Sequence, residues 1–74
     1  MKTVEQIAAE LEVLKRQQEC TNETKQLYFR RLYKAAAEGN EHAITKLANR
    51  IDAVRIELAY RDGEIEALEA VIAG

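Results

Sequence analysis

The feature that most constrains this chain is a mirrored register. From residue 44 onward, one line of positions advances in alternating steps of three and four: Ile44, Leu47, Ile51, Val54, Leu58, Arg61, Ile65, Leu68 and Ile72. Read backward from residue 35, the same steps give Ala35, Leu32, Tyr28, Lys25, Thr21, Gln18, Leu14, Leu11 and Ile7. A 3.5-residue period is the seam of a coiled coil. The numbers of each facing pair add to 79, from Ala35 with Ile44 out to Ile7 with Ile72. A constant sum is what two antiparallel helices leaving one tight turn require.

The turn is spelled by Gly39-Asn40. Glycine suits the left-handed residue that ends a helix, and asparagine suits the N-cap of the next. Glu41 then sits favourably on the new helix dipole. Upstream, Thr3-Val-Glu-Gln6 reads as a capping box. The expectation is therefore an all-α, coiled-coil-like hairpin forming one domain over residues 1–74, with a helix at 3–38, a turn at 39–40 and a helix at 41–73. Each helix would be about 50 Å long at 1.5 Å per residue. The stretch QQECTNETK (17–25) is a poor helix centre, and a break at Cys20–Asn22 giving three helices is the competing reading. The register favours the unbroken helix. It also gives Arg61 a partner, because Gln18 occupies the same layer, and a polar layer can fix register at some cost in stability.

A second stripe on helix two runs Ala53, Ile56, Tyr60, Gly63, Ala67 and Ala70. Glycine inside a helix costs about 1 kcal/mol against alanine, yet small residues on one line let another helix come close. Val13, Cys20 and Leu27 occupy the same side of helix one, paired with Ala67, Tyr60 and Ala53 by a fixed sum of 80. These nine residues are the expected self-association surface. A two-fold copy is its simplest cover, giving a homodimeric four-helix bundle. A parallel dimer along the main seam is disfavoured, since Arg50 would meet Arg55, Glu57 would meet Asp62 and Glu64 would meet Glu69.

Composition narrows the class. Apolar residues make up 47% and charged residues 32%, without proline or tryptophan, which favours helix. No apolar run approaches the roughly 20 residues of a membrane span. Residues 1–15 lack a signal-peptide core, so no membrane association and a cytoplasmic location are expected. The single cysteine, Cys20, excludes an internal disulfide and reads as a small interface hydrophobe. His42, the only histidine, reads as a solvated turn residue. A metal site from Glu38, Glu41 and His42 would have few and mobile ligands, and there is no glycine-rich phosphate loop. No catalytic residue, metal or cofactor is expected, and the chain is expected not to be an enzyme.

Charge is unevenly placed. Residues 25–55 hold seven Lys/Arg against three Asp/Glu, while residues 1–24 hold three against five and residues 56–74 one against five. A hairpin thus has a basic turn half and an acidic open half. KQLYFRRLYK (25–34) interleaves aromatics with bases. Phe29 and Tyr33, with Arg30, Arg31, Lys34 and Arg55, form the expected partner-binding surface, since aromatics beside arginine are the usual composition of binding hot spots. The functional expectation is a protein–protein interaction module that pairs with itself and with a larger protein. An adaptor, a small chaperone or an inhibitor of that protein fits, of the kind that phages and other mobile elements encode. The alternative is a regulator that binds RNA, through phosphate contacts and stacking. In architecture alone, a dimer of hairpins resembles Rop-like RNA-binding plasmid proteins, and that resemblance implies the same alternative.

Overall fold

A computed structural model describes residues 2–74. It contains two helices, α1 (Val4–Glu38) and α2 (Glu41–Ala73), packed against each other as a hairpin. The result is a rod of 53 × 16 × 15 Å.

Helix α1 starts at the capping box. The Thr3 hydroxyl accepts the Gln6 amide at 3.2 Å, and Gln6 Oε1 accepts the Thr3 amide at 2.9 Å. The helix continues through Cys20–Asn22 without a break. Two threonines in this weak centre turn their hydroxyls onto the preceding turn, Thr21 to the Gln17 carbonyl at 2.9 Å and Thr24 to that of Cys20 at 3.1 Å. Their polar groups are satisfied inside the helix rather than competing with it. Tertiary packing of the seam outweighs the low local propensity.

Helix α1 ends where Gly39 adopts φ 70° and ψ 23°. Its amide donates to the Ala36 carbonyl at 3.1 Å, and the Asn40 amide donates to that of Ala35 at 3.0 Å. This pair of bonds is a Schellman motif, and it satisfies carbonyls the helix end would otherwise leave open. Asn40 Oδ1 then accepts the Ala43 amide at 3.2 Å, starting α2. Two residues reverse the chain.

The seam forms the core. Ala35, Leu47, Ile51, Leu58 and Ile65 are buried, and the remaining seam positions are half-buried except one. Ile72 is 39% exposed. It stands in the last layer of the open end, where no further layer covers it. Among the described residues no side chain is fully enclosed, because each helix has a single neighbour.

The polar layer is wider than a Gln18–Arg61 pair. Arg61 has only 14% of its side chain exposed. One Nη donates to Gln18 Oε1 at 3.2 Å and to the Thr21 hydroxyl at 2.8 Å, and the other to Glu57 at 3.0 Å. Gln18 in turn donates to the Leu58 carbonyl at 2.9 Å and to Asp62. No buried side-chain nitrogen or oxygen among the described residues lacks a partner.

Two outcomes follow from this geometry. Gly39→Ala should cost about 1 kcal/mol, because a side chain is strained at positive φ, and lower Tm by about 4–8 °C in thermal unfolding. Gly39→Asn should lose less. Replacing Gln18 and Arg61 together by leucine should raise Tm, since a polar layer trades stability for register. Tm falling in the double variant would show that the network stabilises the hairpin outright.

Candidate interaction surfaces

The small-residue stripe lies on the outside of the hairpin. Val13 is 51% exposed, Leu27 42%, Ile56 71% and Tyr60 75%. Cys20, Ala53, Gly63, Ala67 and Ala70 are exposed too. Two shallow grooves run along this side. One, of about 720 Å³, is floored by Ala9, Val13, Leu14, Ala67 and Leu68 and bordered by Lys2, Glu10, Gln17 and Glu64. The next, of about 400 Å³, shares Val13 and Gln17 with the first and adds Arg16, Cys20, Thr21 and Arg61. Val13 is thereby brought together with Ala67 and with Cys20. Leu27, Ala53, Ile56, Tyr60, Gly63 and Ala70 line neither groove.

Gly63 is informative because it is unconstrained within the chain. A Cβ placed there meets nothing within 4 Å, and the residue has ordinary helical geometry. Nothing inside the hairpin therefore requires a glycine.

Phe29 and Tyr33 stack, with ring centroids 6.4 Å apart and planes 28° from parallel. Phe29 is half-buried and Tyr33 is 70% exposed, and Arg30, Arg31 and Lys34 of the same stretch are exposed. Arg55 is exposed on α2. It lines a polar groove of about 310 Å³ with Lys25, Asn22, Gln18 and Asp62. By sequence Lys25 belongs to the seam and to the basic stretch 25–34, and Asn22 to neither expected surface. Their shared signal is position: both flank the Gln18 layer within two turns.

The ion pairs divide the rod in two. Lys2 pairs with Glu10, Lys15 with Glu69 at 3.9 Å, Arg16 with Glu12 at 2.7 Å and Arg61 with Glu57 at 3.0 Å. Glu12 holds the Arg16 guanidinium above its ordinary pKa, through their hydrogen bond and then through its charge. All four pairs lie in the open half and use every lysine and arginine there. Among the described residues, none of the seven bases between 25 and 55 has a carboxylate within ion-pairing distance. The turn half is thus a set of unneutralised cations. Among the described residues, Glu19, Glu23, Glu64 and Glu66 of the open half have no ion-pair partner.

Among the described residues no three of His, Cys, Asp and Glu come together as a metal site, and no helix is long and apolar enough to cross a membrane. Cys20 and His42 stand about 25 Å apart along the rod at 1.5 Å per residue. No family model, curated protein or solved structure matches the chain.

Because Gly63 touches nothing, Gly63→Ala should stabilise the isolated hairpin by up to about 1 kcal/mol. Thermal unfolding at high dilution reads this. A destabilised variant would mean that a contact absent from the single hairpin depends on the glycine.

Proposed function

We propose that this chain is a non-enzymatic interaction module: a helical hairpin that pairs with itself through the Val13–Cys20–Gly63 side and offers the Phe29–Tyr33 side to a larger protein as an adaptor, small chaperone or inhibitor. The observation that carries the reading is surface. The hairpin exposes 5661 Å², whereas a compact monomer of its mass exposes about 4,600 Å². The excess of about 1,000 Å² resembles what one partner contributes to a stable interface, about 800 Å². Exposed Ile56 and Tyr60 concentrate part of that excess on the stripe. The stacked, partly exposed aromatic pair supplies the rigid anchor typical of binding hot spots.

One observation favours a second reading. Seven bases without ion-pair partners among the described residues, in the half of the rod that carries exposed Tyr33, suit a nucleic-acid backbone and its bases. The overall charge of −2 weighs against it.

Two variants separate the readings. Phe29→Ala with Tyr33→Ala should weaken a protein partner by about 30-fold or more, as loss of hot-spot aromatics does. Gln at Arg30, Arg31 and Lys34 should do little to such a partner beyond slowing association. For a nucleic-acid partner the order reverses, and the log–log salt slope should fall by about 2.1 for a single strand, or about 2.7 for a duplex, if all three bases meet phosphates. The assay is a pull-down from the native cell with and without nuclease, followed by titration of the recovered partner. Circular dichroism should show both variants helical. Full binding by both would place the working surface elsewhere.

Self-association has its own check. In sedimentation, Gly63→Leu should remain helical but shift toward monomer relative to the native chain. A monomeric native chain at about 100 μM, well above the micromolar range of modest interfaces, would remove this part of the reading.

A further inference from the structure

Two hairpins can meet through one face in two two-fold ways: with their turns at the same end, or with the turn of each over the open end of the other. We infer that the second copy docks turn over open end, about a two-fold axis passing through the layer of Cys20 and Tyr60. This rests on the self-association proposed above and specifies its geometry. Three observations carry it.

The first is charge. Among the described residues the turn half holds seven bases with no ion-pair partner, and the open half holds ten carboxylates against four bases that are already paired. Same-end docking lays cations over cations and carboxylates over carboxylates. Reversed docking lays each over its complement along the whole rod.

The second is shape. About the Cys20–Tyr60 layer most of the stripe is its own reversal: Val13 exchanges with Leu27 and Ala53 with Ala67, and the image of Ile56 falls one residue from Gly63. Reversed docking therefore brings Ile56, 71% exposed, to within one residue of the level of Gly63, where an added Cβ meets nothing within 4 Å. Same-end docking would set Ile56 near Thr24 and Gly63 near Gln17, matching apolar positions with polar ones.

The third is position along the rod. Helix α1 spans Val4–Glu38, so its midpoint is Thr21, next to Cys20. An axis through that layer overlaps the two hairpins over nearly their full length and covers the most surface.

The arrangement makes α1 cross α1 of the second copy in antiparallel fashion, which brings Cys20 within about 3 Å of its counterpart in height. Same-end docking instead puts the two thiols on diagonal helices. The test is cross-linking with a mild oxidant or a short bismaleimide, beside sedimentation of the same samples. The native chain should cross-link through Cys20. In a Cys20→Ser background, Val13→Cys mixed with Leu27→Cys should cross-link between copies, whereas Leu27→Cys alone should not. Raising NaCl from about 50 to about 500 mM, which shortens the screening length roughly threefold, should weaken the dimer by about threefold or more. A dimer that fails both cross-links, or that tightens with salt, overturns the reversed docking while leaving self-association standing. A chain that stays monomeric overturns both.

Discussion

A helix in a two-helix hairpin can bury only one stripe. Everything else here depends on that limit. With a single neighbour each, α1 and α2 bury Ala35, Leu47, Ile51, Leu58 and Ile65 and leave the rest of the seam half-covered. A core this thin is near the lower bound for a chain of 74 residues. The ends are correspondingly well specified, by a capping box at Thr3 and a Schellman turn at Gly39, because each cap contributes about 1 kcal/mol where the core contributes little to spare.

A uniform apolar seam would also tolerate sliding by a heptad. The Arg61 layer opposes this. In the native register its guanidinium reaches Gln18, Thr21 and Glu57. Shifted one heptad toward the turn, Arg61 would face Lys25, a like charge. Shifted the other way, it would face Leu11 and lose its acceptors on α1. Leaving a largely buried charge without its partners is costly. The layer therefore acts by raising the alternatives more than by lowering the native state.

Much of this was legible in the residues because the seam is a one-dimensional pattern. Alternating steps of three and four, a constant sum and a glycine–asparagine turn specify a hairpin without any knowledge of side-chain geometry. What escaped depends on reach and local environment. The partners of Arg61 beyond Gln18 follow from the length of an arginine. The groove that Arg55 shares with Asn22 and Asp62 follows from how the flanks of the two helices meet across the seam. Exposed Ile72 is an end effect, invisible to a repeat that treats every layer alike. The interaction surfaces were legible only as residue positions: the sequence places Val13, Cys20 and Gly63 on one side, but exposure and the empty space at Gly63 are properties of the packed hairpin.

The proposed docking has a consequence for how such a module would engage a larger protein. Phe29 and Tyr33 stand nine and thirteen residues from Cys20 toward the turn. With turns at opposite ends, the two aromatic stacks would lie roughly 27–39 Å apart along the rod, on opposite outer faces by helical spacing. A partner with one recognition site would then be held by one stack at a time, and two partners could bind one dimer without colliding at the centre. A partner presenting two sites at that spacing would gain from effective concentration rather than from new contacts. With turns at one end the stacks would share a height and sit back to back across the bundle, favouring a ring-like grip at that end. In the proposed dimer the orientation of the two hairpins would thus decide whether the assembly bridges or clasps, and the uneven charge of the rod would select between them.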